Sequence, residues 1–493
     1  MAERRPNIVL ILTDQQRWNA LGCYGHPVVR TPHLDALAEA GVRFEHAYVP
    51  VPLCTPSRAC LMTGCYPTVH GIRTNETVPL RADLPTLPGA LRAAGYQTFL
   101  MGKDHIFNQA GRQRDWDRVA LFGHGGREAG SAGSAEDAAV RAFRRDLMRQ
   151  PWVDAEPFPP EACTTARITD QALAAIEQRS PDQPFFLWLS YPDPHPPFVV
   201  CEPYASMYRN MVAAAPPDDG SDLESKPLRH RVTRTLMQME RYSADDLRRI
   251  REIYYGMISF IDDQIGRLVL RLRQLDLYRN TAFVFMSDHG EYLGDHGLLR
   301  KSPSLWDVLV RIPLIVVWPE GCAGGRVVGS TMAESVDIMP TLLDWAGSGI
   351  PRHIQGRSLV PLLDGRCLTH RDRVHGCYGT EGAPYTEDEV LRVDFEALFR
   401  HPHGGGNWLN RLVMQGRFLM ERTLDWKLIY YNDGAGELYN LRDDPGERVN
   451  LYGAGRHAEV ERVLLESLLR WSMDAAPALP PYGAPPPPGL EER

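Results

Sequence analysis

Short, almost uninterrupted apolar runs alternate with amphipathic segments along most of the chain. The amphipathic segments, which carry apolar residues at helical spacing, include 33–42, 87–96, 168–179 and 257–275. Runs with the length and the β-branched or aromatic character of strands lie at 7–12, 97–101, 184–191, 281–287 and 313–318. Strands that are apolar at every position are typical of a sheet covered by helices on both faces. The alternation therefore predicts an α/β fold with a large, mostly parallel central sheet flanked by helices.

The pattern changes near the C-terminus. Short strand-like pieces, joined by the turn-forming sequences NDGAG and RDDPGE, lie at 417–422, 425–432 and 436–441. They predict a small antiparallel sheet, followed by a helix at about 456–475 and a proline-rich tail.

These patterns predict two domains. The larger α/β domain covers residues 1–372, and a smaller C-terminal subdomain with the antiparallel sheet covers 373–493. Two stretches of the larger domain, about 106–165 and about 202–245, are rich in Gly, Pro, Arg and Asp and show little periodicity. We expect both to be insertions over one face of the core.

Charge and composition exclude several classes of protein. The 493 residues carry a net charge of −8, which disfavours broad attraction to nucleic acid or to an anionic membrane. No apolar run approaches the length of a membrane span, and the run from Ile8 to Leu12 is too short for the hydrophobic region of a secretion signal. The nine cysteines contain no CxxC pair and do not resemble a disulfide framework. We therefore expect a cytoplasmic protein with neither nucleic acid nor membrane as a partner.

Polar clusters follow four of the predicted strands, at the point where each strand ends. The residues of these clusters are Asp14 and Gln15, Lys103, Asp104 and His105, Asp193 and His195, and Asp288 and His289. Because the carboxyl ends of parallel strands form the ligand-binding edge of an open α/β sheet, we expect the four clusters to converge there.

Each cluster also has an ordinary structural explanation. Asp14 could cap a turn or a helix, residues 288–290 could form a tight turn, and PDPHPPF could be a rigid loop. Taken together, the two pairs led by an aspartate supply oxygen and nitrogen donors suited to Ca²⁺, Mg²⁺ or Mn²⁺ rather than to structural zinc. Cationic and proton-transferring groups suited to an anionic ester are added by Lys103, His105, His195 and Lys301.

A longer motif precedes a helix-like segment. The stretch PLCTPSRACLMTG (52–64) resembles, position for position, the signature of the sulfatase family, with its C-x-P-S-R core and terminal T-G. The resemblance extends to GYQT (95–98) followed by GKDH (102–105), and to DHGEYLGDHGLLRK (288–301), ESVDIMPTLLDWAG (334–347) and GELYNLRDDPGERVNL (436–451). The chain thus resembles the formylglycine-dependent sulfatases of the alkaline phosphatase superfamily, and this resemblance implies an alkaline-phosphatase-like fold for the larger, catalytic domain.

The resemblance also implies an unusual nucleophile. In the family, the motif cysteine, here Cys54, is converted by a maturation enzyme to formylglycine, an aldehyde whose hydrate is the nucleophile. One hydroxyl attacks the ester to give a covalent sulfo-enzyme intermediate, and deprotonation of the other expels the bound anion. A thiol has no second hydroxyl, so it would form a stable ester and stall.

Further roles are implied by motif position. Lys103 and Lys301 would bind the sulfuryl or phosphoryl oxygens, and Arg58 would stabilise the alkoxide. His105 would assist deprotonation of the hydrate, and His195 would protonate or steady the leaving group. Asn75 is a further substrate-binding candidate. The implied ligands of one divalent cation, Ca²⁺ or Mn²⁺, are Asp14, Gln15, modified Cys54, Asp288 and His289.

Two positions depart from the commonest sulfatase pattern. Many arylsulfatases have paired aspartates where this chain has Asp14-Gln15, and Asp-Asn where it has Asp288-His289. The Gln and His versions resemble the branch that contains phosphonate monoester hydrolases, choline sulfatase and promiscuous arylsulfatases. An amide in place of a carboxylate leaves more positive charge at the metal, which would favour a more highly charged phosphoryl transition state.

The leading prediction is a hydrolase of sulfate monoesters, in the first place an arylsulfatase, that acts on a small anionic ester. The alternative is a phosphonate monoester or phosphodiester hydrolase that uses the same residues, with activity on both ester classes as a further option. A non-catalytic protein that binds an anion is the third option. The glycine-rich stretch 399–411 is expected to form a mobile loop near an opening. A homo-oligomer is compatible with the long insertions and the tail.

Overall fold

The computed structural model describes residues 5–75, 80–128, 134–147, 155–212, 218–318, 324–352, 354–394 and 413–475, apart from the side chains of 145 and 146. The loop expected at 399–411 and the proline-rich tail lie outside these residues.

A ten-stranded sheet forms the centre of the larger domain. Its strands are β1 (Asn7–Thr13), β2 (Val42–Tyr48), β3 (Gln97–Gly102), β4 (Arg118–Gly123), β5 (Gly126–Arg127), β6 (Phe185–Ser190), β7 (Thr281–Ser287), β8 (Arg311–Val317), β9 (Arg326–Val328) and β10 (Ala333–Glu334). Their order is β10-β2-β8-β7-β1-β6-β3-β4-β5, with β9 paired to β2. Only β5 and β8 run antiparallel to their neighbours in this sheet. The predicted α/β fold with a mostly parallel sheet is therefore confirmed.

The register of the central strands aligns their carboxyl ends. Thr13 at the end of β1 pairs with Ser287 of β7, and Leu12 pairs with Ser190 of β6. Ser190 in turn pairs with Gly102 of β3. The four polar clusters that follow these strands therefore start side by side on one edge of the sheet, as the sequence predicted.

Helices cover both faces of this sheet. The helices of this part of the chain are α1 (Pro32–Ala40), α2 (Cys54–Thr63), α3 (Pro67–His70), α4 (Leu87–Ala93), α5 (Gln109–Asp115), α6 (Ala135–Leu147), α7 (Thr164–Glu177), α8 (Leu228–Leu236), α9 (Ala244–Gln274), α10 (Asp307–Val310), α11 (Ile338–Trp345), α12 (Val360–Leu363) and α13 (Glu387–Leu391). Of these, α13 has no buried residue and packs beside α8 instead of on the sheet. Alternate residues of β1 face different layers: Ile8 and Leu10 pack with α2, α4 and α11, whereas Val9 and Ile11 pack with α1, α7 and α9.

A second, antiparallel sheet of four strands lies in the C-terminal part, as predicted. Its strands are β11 (Arg373–Tyr378), β12 (Phe418–Thr423), β13 (Trp426–Tyr431) and β14 (Gly436–Asn440), and the helix α14 (Ala458–Asp474) follows them. Phe418, Met420 and Ile429 belong to the same buried apolar cluster as residues of β1 and α2. The two sheets therefore share one core.

The stretch predicted as a first insertion contributes to the main sheet. Residues 118–123 form β4, which pairs in parallel with β3. The domain boundaries stay predictions, but the 106–165 stretch does more than cover one face. Among the described helices, none combines the length and the apolar character needed to cross a lipid bilayer.

Candidate active site

Cys54 is the first residue of α2, a helix whose ten residues are all buried. Only 1% of Cys54 is exposed. The residue before the helix, Leu53, makes no side-chain cap, and the amide oxygen of Asn75 instead accepts a hydrogen bond of 3.0 Å from the backbone N–H of Thr55. Pro56 lies in the first turn, where a missing backbone N–H costs little. The helix N-terminus thus presents Cys54 toward the aligned strand ends.

Four buried side chains meet at this point: Asp14, Cys54, Asp288 and His289, with one potential donor atom of each within 4.8 Å of the others. Cys54 Sγ lies 3.3 Å from His289 Nε2 and 3.7 Å from Asp14 Oδ1. His289 Nε2 lies 3.6 Å from Asp288 Oδ1 and 3.9 Å from Asp14 Oδ1. The structure therefore brings together four of the five predicted metal ligands, and the backbone of the fifth, Gln15, donates to Asp288 Oδ1 at 3.0 Å.

Arg58, one turn into α2, bonds the carboxylates of both Asp14 and Asp288. Its Nε is 2.9 Å from Asp288 Oδ2, and its terminal nitrogens reach Asp14 Oδ2 (3.1 Å), the Ser190 hydroxyl (2.7 Å) and the Lys103 carbonyl (2.8 Å). The guanidinium is fully buried. Its observed contacts orient Asp14 and Asp288, and its predicted action on an alkoxide stays a prediction.

Two lysines flank the cluster. The Lys103 ammonium donates to Asp14 Oδ2 and lies 2.9 Å from His124 Nε2. Lys301 Nζ donates to the side-chain oxygen of Gln15 at 2.6 Å, and the amide nitrogen of Gln15 donates to Glu291. The side-chain oxygen of Gln15 is therefore already engaged with Lys301.

The remaining predicted site residues lie at different distances from the cluster. His195 stacks on His124, with ring centroids 3.7 Å apart, and its Nδ1 is 2.6 Å from the carbonyl oxygen of Pro196. His105 is exposed and its Nδ1 lies 3.3 Å from the hydroxyl of Thr55, the residue after Cys54. Asn75 contacts the helix N-terminus as described above. These placements put all three near Cys54, and their catalytic roles stay predictions.

The two aspartates have opposite pKa shifts. Burial alone would raise the pKa of Asp14, but the positive charges of Lys103, His195 and Arg58 outweigh it and hold the pKa well below its usual value. Burial and the neighbouring charge of Asp14 raise the pKa of Asp288. A shared cation would relieve the repulsion between the two carboxylates.

Positive groups also dominate the electrostatics of Cys54. Burial and the charge of Asp14 would raise the pKa of the thiol, yet Lys103, Lys301 and His289 lower it well below its usual value. The site therefore stabilises a negative charge at position 54, which is the property that an anionic ester or an alkoxide there requires.

Comparison with known proteins accounts for this arrangement. The family model described as Sulfatase matches residues 6–348. This chain belongs to the sulfatase family. The sulfatase chain is 32% identical to the arylsulfatase of Clostridium perfringens (strain 13 / Type A) over 94% of each chain. It is 28% identical to the multifunctional alkaline phosphatase superfamily protein PehA of Trinickia caryophylli over 96% of each chain. Among solved structures, the phosphonate monoester hydrolase SpPMH from Silicibacter pomeroyi matches with a TM-score of 0.75 and 25% identity, covering 95% of this chain and 96% of that one.

The donor atoms of this sulfatase fit a hard divalent cation. Oxygen ligands at 2.3–2.6 Å from Ca²⁺ in a six- to eight-coordinate shell are themselves about 3 to 5 Å apart. Four of the separations among Asp14, Asp288, His289 and Cys54 are 3.3, 3.6, 3.7 and 3.9 Å, and the donor atoms all lie within 4.8 Å of one another. The two carboxylates suit Ca²⁺ or Mn²⁺, the imidazole nitrogen favours Mn²⁺ of the two, and the atom at position 54 becomes an oxygen if the thiol is converted.

Sequence reasoning missed two side chains of the sulfatase site. His124 follows β4, a strand that was not predicted, so the residue had no reason to be placed at the ligand-binding edge. Glu291 lies inside the DHGEYLGDHG motif, but its contact with Gln15 depends on the turn geometry that follows β7. The signal used for the other clusters, a polar residue just beyond the end of a strand, would have found His124 if 118–123 had been recognised as a strand.

Proposed function

We propose that this sulfatase hydrolyses sulfate monoesters, with aryl sulfates as the first substrate class, by means of a divalent cation and formylglycine formed from Cys54. One observation carries the proposal: the first residue of α2, Cys54, lies buried among Asp14, Asp288 and His289, with lysines on both sides. The similarity to an arylsulfatase at 32% identity supports the same substrate class.

Asp14, Asp288, His289 and the residue at position 54 would hold the cation, with the Gln15 oxygen as a fifth donor once Lys301 releases it. The bound metal supplies Lewis-acid activation and the formylglycine hydrate supplies the attacking oxygen. Arg58 keeps the two carboxylates in position, because its fork bonds both of them at once.

The other residues act on the ester itself. Lys103 and Lys301 have the charge and position to bind its non-bridging oxygens, where negative charge is held through the transition state. His195 Nδ1 donates to the Pro196 carbonyl, so its Nε2 is the atom left for the leaving group, and it would give a proton there when both ring nitrogens are protonated. His105, exposed beside Thr55, can exchange a proton with solvent near position 54.

Hydrolysis of phosphonate monoesters is the second candidate. It is favoured by the 25% identity to a phosphonate monoester hydrolase over nearly the whole chain and by Gln15 in place of a carboxylate. A neutral amide leaves more positive charge at the metal, which benefits the more highly charged ester.

The proposal also includes the protein's partners and its location in the cell. A formylglycine-generating enzyme and further copies of this chain are the proposed protein partners. The reduced cytoplasm is the proposed location, in keeping with eight described cysteines that are all free thiols.

The test compares kcat/KM for an aryl sulfate and an aryl phosphonate monoester on one metal-loaded preparation. Mass spectrometry of the Cys54 peptide first establishes the fraction converted to the aldehyde, and Cys54→Ala is the matched control. A preference for the sulfate ester supports the proposal, whereas a preference for the phosphonate ester replaces it with the second candidate. Turnover that persists in Cys54→Ala would refute the assigned nucleophile in either case.

A further inference from the structure

His124 and His195 lie face to face beside the catalytic cluster. Their ring centroids are 3.7 Å apart and their planes differ by 21°. His124 Nε2 is 2.9 Å from Lys103 Nζ, and the same ammonium contacts Asp14. One nitrogen of each histidine and one carboxylate oxygen of Asp14 lie within 4.8 Å of one another. His124 thus touches both the proposed anion-binding lysine and the proposed proton donor.

The main sheet builds this contact. Lys103 directly follows β3 and His124 directly follows β4, and these parallel strands pair through Gly102 and Leu121. His195 lies in the loop after β6, the neighbour on the other side of β3. Three adjacent strands therefore deliver the three side chains to one place, and their spacing follows from the strand register.

Hydrogen-bond chemistry determines which atoms carry protons. An ammonium group can only donate, so His124 Nε2 accepts from Lys103 and the neutral ring carries its proton on Nδ1. That Nδ1 is buried and has no hydrogen-bond partner among the described residues. A carbonyl oxygen can only accept, so His195 Nδ1 donates to Pro196 and its Nε2 is left for a reactant.

The stacking also limits which of the two rings can carry a positive charge. Two parallel imidazoles with centroids 3.7 Å apart repel strongly if both are cationic. Because His124 must keep a lone pair for Lys103, it is the neutral member of the pair and stacks on His195 without charge repulsion.

We infer that His124 is a positioning residue of the sulfatase site. Its Nε2 holds the Lys103 ammonium by a hydrogen bond, and its neutral ring holds the His195 imidazole in place by stacking. The inference rests on the proposed function, in which Lys103 binds the anion and His195 serves the leaving group. His124 need not touch the substrate to act in this way.

Two variants separate the two contacts. His124→Phe keeps a ring against His195 but cannot accept from Lys103, whereas His124→Gln keeps an acceptor but no ring. His33→Phe and His33→Gln, at the start of α1 where 46% of the side chain is exposed, are the matched controls. Thermal unfolding checks that each variant folds as the unsubstituted chain does.

We expect His124→Phe to bind inorganic sulfate about 10- to 100-fold more weakly, as for loss of a hydrogen bond to a charged group. His124→Gln should bind sulfate within about threefold of the unsubstituted protein, but its kcat should fall most for aryl esters with poor leaving groups, because His195 has lost its support. Equal effects of the two substitutions, or none, would overturn the inference.

A second measurement does not depend on turnover. In protein with ¹⁵N-labelled histidine, the His124 signals (identified by their loss in His124→Gln) should show a proton on Nδ1 and none on Nε2. A proton on Nε2 would overturn the inference even if activity were unchanged. If the converted enzyme cleaves no sulfate ester, the proposed function fails by itself, and the same variants are compared on the phosphonate monoester.

Discussion

Glu291 determines which way the side-chain amide of Gln15 faces. Glu291 is fully buried and also accepts backbone N–H bonds from Leu293 and Arg300, so its carboxylate presents only acceptors to Gln15. The amide nitrogen must then face Glu291, and the amide oxygen must face Lys301 and the cluster. The Gln15 oxygen proposed as a metal ligand is thus oriented by Glu291, a residue outside the proposed ligand set.

This relationship predicts the effect of Glu291→Gln. A glutamine there can donate as well as accept, so it permits the Gln15 amide to turn over and withdraw its oxygen. We expect affinity for Ca²⁺ or Mn²⁺ to fall about 10- to 100-fold, as is usual for residues that orient a ligand. Isothermal titration measures it, with Glu252→Gln, a buried carboxylate on α9, as the control. Unchanged affinity would show that Gln15 does not need this support.

Arg58→Lys keeps the charge but loses the planar fork that bonds Asp14 and Asp288 together. We expect a loss of about 3 kcal/mol in the free energy of unfolding, because a buried ion network is left incompletely paired. Urea unfolding measures this loss of stability, and metal titration measures whether the two carboxylates still bind a cation. Recovery of stability on adding Ca²⁺ would show that Arg58 acts by aligning Asp14 and Asp288. Full stability and full activity together would contradict this role.

Metal binding should stabilise the fold. Burial and the charge of Asp14 raise the pKa of Asp288, so a cation between the two removes an unfavourable interaction of the metal-free state. Chelation should abolish turnover and lower Tm, and either Ca²⁺ or Mn²⁺ should restore Tm. In Asp288→Asn the metal-dependent shift should be much smaller, and an equal shift there would place the cation elsewhere.

Asn75 offers a matched pair of substitutions. Its amide oxygen caps the N–H of Thr55, so Asn75→Ala should cost about 1 kcal/mol of stability, measured by urea unfolding. Asn75→Asp keeps the acceptor but places a negative charge at the N-terminus of α2, next to the proposed position of the anionic ester. We expect its stability to be preserved and its KM to rise by about tenfold. A KM unaffected by Asn75→Asp would place the ester away from this end of the helix.

The contact between the two sheets makes the fold acid-sensitive. Asp307 on α10 pairs with Arg422 (3.0 Å) and Lys427 (2.5 Å) of the C-terminal sheet. Burial opposes ionisation of Asp307, but Arg422 and Lys427 outweigh it and lower the pKa below the unfolded-state value of 3.8. The stabilisation is therefore complete above about pH 4 and is lost as the pH falls further.

Asp307→Asn tests this contact. We expect it to cost about 3 kcal/mol at pH 7, since Arg422 and Lys427 stay buried with less compensation. Its free energy of unfolding should then change less between pH 5 and pH 2 than that of the unsubstituted chain. Parallel pH profiles of the two proteins would contradict the prediction.

The central strands could be predicted because every position in them is apolar. β1, β6 and β7 are buried along their whole length, so the sequence pattern was unambiguous. β2 and β4 alternate between buried and partly exposed positions, and their polar residues hid them within helix-like or irregular surroundings. When a strand is not predicted, the polar residue that follows it is not predicted as a site residue either, and His124 was missed for this reason.

The site residues likewise fall into those that could be predicted from the sequence and those that could not. Residues that belong to a contiguous motif, such as Cys54 and Asp288, could be placed from sequence because the motif carries its own local geometry. The orientation of Gln15 and the stacking of His195 depend on partners that are distant along the chain, Glu291 and His124. Such contacts follow from sheet register and turn shape, which no local pattern encodes.

The burial of α2 sets the order of events in the proposed maturation. A modifying enzyme must reach Cys54, yet 1% of this residue is exposed and the whole helix lies inside the core. In the proposed maturation, conversion would therefore precede the docking of α2 onto the sheet, while the segment is still accessible. A chain that folded before conversion would keep a buried thiol at position 54, out of reach of the modifying enzyme.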